Sequence, residues 1–189
     1  VNKLIFSSTA AVYGEPEEVP IREDAPLHPV NYYGMTKLEF EKRLEIESNK
    51  QHRNFHYVAL RYFNAAGAHE SAEIGEWHVN ETHLIPRILR VAKGELSRVE
   101  VYGTDYPTKD GTCVRDYIHV EDLVDAHVLA LKYLLDSGKS DVFNLGNGEG
   151  FTVREVIRAV EQVTSHDLPT VEELRREGDP AILVADSTK

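Results

Sequence analysis

The chain has 189 residues, 41% hydrophobic and 28% charged, with 12 glycines and 8 prolines, a composition that suits one well-buried globular domain. Its formal charge of -11 argues against a general nucleic-acid or membrane-surface binder, which would meet phosphates with a net basic face. No apolar run nears the ~20 residues that span a bilayer, and no basic-then-apolar leader opens the chain.

Lys3-Leu4-Ile5-Phe6 begins a strand over residues 2–8, and Ser7, Ser8 and Thr9 place a cluster of hydroxyls at its carboxyl end. A long helix is expected over residues 31–50, with Leu38, Phe40, Leu44 and Ile46 among many charges. His56 to Tyr62 reads as the next strand, ended by a turn at Asn64-Ala65-Ala66-Gly67. Leu84 to Lys93 is helical and stops at Gly94, a suitable C-terminal cap. A short strand at Val99–Tyr102 leads into a polar loop, Gly103 to Thr112, and Val114 to Val120 is extended again. Glu121 to Asp136 carries Leu123, Val124, Val128, Leu131 and Leu135 at helical spacing and ends before Gly138. Val142 to Gly146 is a strand. Thr152 and Glu155 form a capping box for a helix reaching about Ser165, and a charged loop then precedes a strand near Ile182-Leu183-Val184. This alternation favours an α/β architecture with a parallel sheet.

Cys113 is the only cysteine, so no intrachain disulfide forms and a cytoplasmic setting is expected. Acidity does not exclude a phosphorylated small molecule, because one or two arginines can hold a diphosphate. The start at Val1, with Met35 as the only methionine, predicts a fragment or a processed product.

Tyr33 and Lys37 lie four apart on the long helix, one turn from each other on one face. A phenol left alone is a poor base at neutral pH, and a neighbouring ammonium favours the phenolate. The pair is weak evidence alone, and Tyr32 leaves open which tyrosine faces a site. In open parallel α/β sheets, ligands bind at the carboxyl ends of the strands, which is where Ser7, Ser8 and Thr9 fall. Hydroxyl, tyrosine and lysine together suit removal of the proton from a secondary alcohol while a hydride leaves the same carbon.

This set resembles the short-chain dehydrogenase/reductase superfamily, in its extended branch acting on nucleotide sugars. Leu60 to Ala68, Thr82-His83-Leu84-Ile85-Pro86, Asp110 to Val120, and Arg175-Arg176-Glu177-Gly178-Asp179 make it similar to the UDP-glucose 4-epimerases along essentially all of the sequence. The resemblance implies the C-terminal part of a doubly wound NAD-binding Rossmann-type fold plus a smaller α/β substrate-binding domain. Residues 1–68 would be the second half of the dinucleotide-binding domain with the catalytic helix. Residues 69–189 would be mainly the sugar-nucleotide-binding domain, with strands and helices returning to the first.

By matching position, the resemblance makes Tyr33 the acid/base, Lys37 its activator and a ribose contact of NAD, and Thr9 the contact to the sugar O4. Ser7, Tyr62 and Phe63 fall at the nicotinamide end of NAD. Asn64, His83, Val101, Tyr102, Arg115, Tyr117, Arg176 and Asp179 fall around the UDP, and Leu183 near the C2 substituent of the hexose. No metal ligand is assigned. The implied reaction interconverts UDP-glucose and UDP-galactose by C4 oxidation, rotation of the 4-keto sugar and re-reduction, with homodimers expected of the whole protein. Phe40 and Leu44 are open to either a dimer seam or the core.

The family's G-x-x-G-x-x-G turn does not occur in the sequence, and Leu145 to Gly150 stands too far downstream to replace it. The first βαβαβ half is therefore expected to be absent, and the chain alone inactive. Competing readings are a UDP-N-acetylglucosamine 4-epimerase, a UDP-glucuronate decarboxylase, a sugar 4,6-dehydratase, or a non-catalytic UDP-sugar-binding fragment. Ala10 and Ala11 beside Thr9 weigh against a dehydratase, which would need an acid pair there.

Overall fold

The computed structural model describes all 189 residues. Its first sheet is parallel in the order β1 (Lys3–Thr9), β2 (His56–Tyr62), β7 (Asp141–Leu145). Central strand β2 is buried from Tyr57 to Arg61, as a parallel strand covered on both faces must be. Its side chains alternate between two layers. Tyr57 and Ala59 pack with Leu44 of α1 (Tyr32–Ser48), together with Leu4 and Phe6 of β1. Val58 and Leu60 pack with Ala130 and Leu134 of α3 (Val120–Ser137) on the opposite face. The sheet is thus sandwiched between α1 and α3, and β1–α1–β2 is a parallel crossover unit.

A second cluster unites α2 (Leu84–Ala92), α4 (Val153–Thr164) and β4 (Val99–Tyr102) through Ile88, Val91, Val99, Val101, Val153 and Ile157. Thr152 caps α4 in the expected capping box with Glu155. Four small pairings make up the remaining three sheets. They join β3 (Asn64–Ala66) to β6 (Tyr117–His119), β4 to β9 (Thr170–Glu173), and β5 (Val114–Arg115) to both β8 (Phe151–Thr152) and β10 (Ile182–Leu183).

Several of these differ from the sequence expectation for identifiable reasons. Asn64–Ala66 pairs with β6 instead of ending as a free turn. The extended run 114–120 breaks at Asp116, whose wholly buried carboxylate accepts the backbone N–H groups of Asn147 (2.9 Å), Gly148 (3.1 Å) and Ala185 (3.0 Å). Thr170–Glu173 is a strand because β4 offers it a parallel edge, although only Val171 of its four residues is partly buried. Helix α3 turns Leu123, Ala130 and Leu134 to the interior, while Val124, Val128, Leu131 and Leu135 form a second apolar face open to solvent. No helix is long and apolar enough to cross a membrane.

A buried polar network ties α1 to the sheet. The Arg61 guanidinium donates to Glu41 through Nη2 (2.6 Å) and Nε (3.1 and 3.2 Å). Its Nη1 reaches the Tyr13 hydroxyl (3.0 Å) and the Glu23 carbonyl (3.1 Å). Tyr13 donates to Asn144 Oδ1 at 2.6 Å, and Ser8 donates to Glu41 Oε1. No buried side-chain polar atom in the chain lacks a partner.

Candidate active site and nucleotide cleft

The strand ends and the first turn of α1 assemble one part of the site. Parallel register sets Thr9 beside Tyr62 and Ser7 beside Leu60. Thr9 caps the short 3-10 turn Ala10–Val12, accepting from the Ala11 N–H at 3.2 Å. Helix α1 starts next to this turn because Asn31 caps it, its side chain accepting from the Gly34 N–H at 2.8 Å. The Thr9 hydroxyl is near enough to the Tyr33 phenol to act on its pKa. Tyr32 is 87% exposed against 54% for Tyr33, so Tyr33 is the tyrosine that faces the strand end.

Lys37, one turn further on, donates from Nζ to the Ser7 carbonyl at 2.8 Å. Its ammonium stands 5.6 Å from the Tyr33 ring centroid and 5.0 Å from that of Phe6. The sequence led us to expect a lowered Tyr33 pKa. Instead burial pushes the phenol above its ordinary value, the Thr9 hydroxyl pulls it back, and nearby Tyr62 pushes it up again. The Ser7 hydroxyl lies 3.2 Å from Nε2 of His127 on α3. Phe63 is buried against Ala10, Val12 and Tyr13, and Leu183 packs on the same cluster.

Gly34 permits this close approach. A Cβ there would collide with the Ala11 carbonyl oxygen and come within 2.9 Å of Pro29 Cβ. Gly34→Ala is therefore expected to push α1 off the Ala10–Val12 turn, at about 1–3 kcal/mol of stability by overpacking. Chemical denaturation of the variant checks the stability loss, and near-ultraviolet circular dichroism the displaced tyrosine.

The second part is a cleft of about 620 Å³ between α2, β3, β4 and β5. Of the residues expected around a nucleotide, Asn64, His83, Tyr102, Arg115, Tyr117, Arg176 and Asp179 line it together. Val101 does not line it: its side chain is buried in the α2/α4 core, and only its backbone lies along the strand beside Tyr102. The Arg115 guanidinium donates to Asp179 and to the Val114 carbonyl (2.7 Å). Its sequence neighbour Asp116 is turned to the loop amides, so the adjacent Arg-Asp pair is not an ion pair. Arg176 stacks its guanidinium 3.9 Å from the Tyr102 ring centroid and holds no carboxylate. Burial pushes the Tyr117 phenol up to about 12, so it stays a neutral donor in the cleft.

Two features of the cleft were not singled out from the sequence. Arg87 lines it one turn after His83, paired with Glu100; its i+4 spacing from His83 was the available signal. The N-terminus of α2 opens into it through Leu84, Ile85 and Pro86, with no side-chain cap from His83. Pro86 has no N–H, so the amides that can meet an anion at this helix start are those of Leu84 and Ile85.

Residues 1–146 match the model of the NAD dependent epimerase/dehydratase family. The chain belongs to that family. It is 53% identical over all of its 189 residues to a UDP-glucose 4-epimerase of Halalkalibacterium halodurans, of which it covers 56%. It superposes with a TM-score of 0.93 on the UDP-glucose 4-epimerase of Stenotrophomonas maltophila, solved with NAD and formylated UDP-arabinopyranose. That match is at 46% identity and covers all of this chain and 56% of the other. The Bifidobacterium longum UDP-glucose 4-epimerase, in complex with NAD+ and UDP, gives the same TM-score at 45% identity and the same coverage. The chain therefore spans little more than half the length of the relatives it matches. Within this family, the α/β architecture and its parallel Rossmann-type sheet are as expected from the sequence.

Proposed function

We propose that this chain carries the nucleotide cleft and proton-transfer residues of an NAD-dependent UDP-glucose 4-epimerase. The observation that carries the reading is the convergence of seven of the expected nucleotide contacts on one cleft lined also by Arg87 and a helix N-terminus. Relatives of the same fold, solved with UDP or a UDP-sugar, support it. In this reading, residues 1–68 contribute the catalytic helix and the nicotinamide side, and residues 69–189 mainly the nucleotide side.

Arg176, Arg115 and the α2 amides hold the diphosphate; Asp179 accepts from ribose hydroxyls, and the backbone around Val101 meets the uracil. Thr9 and Tyr33 bracket the 4-hydroxyl of the hexose, Tyr33 taking its proton and returning it after the sugar has turned. Tight hold on the nucleotide with a loose hold on the hexose permits that turn.

The donors at the strand ends fit NAD. Lys37 spends one of its three N–H donors on Ser7 and keeps two for ribose hydroxyls, while Ser7, Tyr62 and Phe63 lie at the same strand ends. When bound, NAD supplies the acceptor and donor of the C4 hydride. The 189 residues contain no G-x-x-G-x-x-G turn for the NAD pyrophosphate, and turnover is assigned to the whole enzyme. Leu183, beside the Ala10–Tyr13 cluster, favours plain hexoses with some tolerance of N-acetyl groups. Ala10 is buried and Ala11 partly so, leaving no acid pair for dehydration.

Phe40, exposed on the outer side of α1, supports pairing of the whole enzyme with a second copy through that helix. Leu44 belongs to the core. A cytoplasmic setting accords with a single, buried, unpaired cysteine.

Calorimetric titration of the chain with UDP tests the nucleotide half. Binding should weaken more than tenfold in Arg176→Ala, since a charged hydrogen bond contributes about 1.5–3 kcal/mol. Unchanged affinity would remove Arg176 from the cleft chemistry.

A further inference from the structure

The loop that leads into α2 gathers four metal-binding side chains within eight residues: Glu76, His78, Glu81 and His83. One ligand atom from each lies within 4.8 Å of all the others. Oε1 of Glu76 is shared between Nε2 of His78 (2.9 Å) and Nδ1 of His83 (3.0 Å). Oε1 of Glu81 also meets Nδ1 of His83, at 2.8 Å. Two carboxylates thus converge on one imidazole nitrogen, which has at most one proton to give. The two oxygens compete for that proton. A cation at the common centre removes that conflict, because all four atoms then act as electron-pair donors.

We propose that these residues bind one divalent transition cation of the zinc class at the mouth of the cleft. Two imidazoles and two carboxylates neutralise a dication and select zinc or a neighbouring first-row metal over magnesium and calcium, which take oxygen ligands. A tetrahedral site with bonds near 2.0–2.1 Å needs ligand atoms about 3.3 Å apart, so the most widely separated of these atoms, up to 4.8 Å apart, close by as much as about 1.5 Å through side-chain rotation. One member of the set is already anchored. Glu81 is buried, and its Oε1 accepts the backbone N–H of His83 at 2.7 Å. Glu76 and His83 also line the cleft, so the cation would link the loop to its rim. Metal on Nδ1 fixes the His83 tautomer, leaving Nε2–H as a donor.

The test is a zinc titration of metal-free protein against a chromophoric chelator, without any nucleotide, so that its outcome is independent of what the cleft binds. One zinc per chain is expected, undisturbed by a large excess of magnesium. His78→Ala, which removes an exposed ligand, should lower the affinity tenfold or more at unchanged circular dichroism. His52→Ala, on the turn after α1, should bind like the unaltered chain. Absence of stoichiometric zinc, displacement by magnesium, or full affinity in His78→Ala would overturn the proposal.

Discussion

Tyr33→Phe in the proposed whole enzyme is expected to lower turnover by about 10²–10⁴-fold, the usual contribution of a positioned acid/base. UDP affinity should stay within about twofold, because Tyr33 sits at the strand ends and is not among the residues lining the nucleotide cleft. The hydroxyl is the only group removed, and the phenyl ring keeps its place beside Thr9 and the Lys37 ammonium. Steady-state turnover and UDP titration on the same preparation separate the two effects. Loss of both together would mean that Tyr33 supports the fold of the site rather than proton transfer.

The second large effect concerns stability. Arg61→Met should cost about 3–5 kcal/mol, because it leaves the Glu41 carboxylate charged and buried without its cation. For a chain of this size that corresponds to roughly 6–20 °C in melting temperature. Glu41→Gln should cost less, since Ser8 and Arg61 still find an acceptor oxygen, but it strips the counter-charge from a guanidinium held well above its ordinary pKa. Burial opposes the Arg61 charge, and Glu41 and Tyr13 more than offset it. The paired change Arg61→Met with Glu41→Leu should recover part of the loss, as replacing a buried ion pair by apolar groups often does. Calorimetric melting of the three variants checks the order. A double variant less stable than either single would contradict this account of the pair.

The sequence made the regular elements legible wherever local rules and burial agreed. The β1 and β2 runs, the Thr152–Glu155 capping box and the helix stop at Gly138 all follow from residue type and spacing, and the structure realises each. Elements that depend on a distant partner were hidden. Thr170–Glu173 is too acidic to read as a strand until the edge of β4 is known, and Asp116 cannot be told from a surface charge until three distant amides reach it. Glu41 looks like one more solvated charge on a charged helix, yet it is the core of the network beneath Arg61. The apolar spacing of α3 was correct, but it marked an open face as well as a buried one.

For the site, residue type and family resemblance suggested seven of the residues that line the cleft, because Asn64, His83, Arg115, Tyr117, Arg176 and Asp179 fall in long distinctive stretches. Electrostatics were less legible. Proximity of Lys37 in sequence suggested a lowered Tyr33 pKa, but the ammonium is bound to the Ser7 carbonyl and burial dominates. Arg115 likewise takes its partner from Asp179, sixty-four residues away, and not from its neighbour.

The most direct test of the central claim is to follow UDP-galactose through the whole enzyme with NAD, by mass and by sugar configuration. The account predicts UDP-glucose of unchanged mass, inverted only at C4. A product lighter by water, oxidised sugar released with reduced cofactor, or UDP-galactose left unchanged would contradict it.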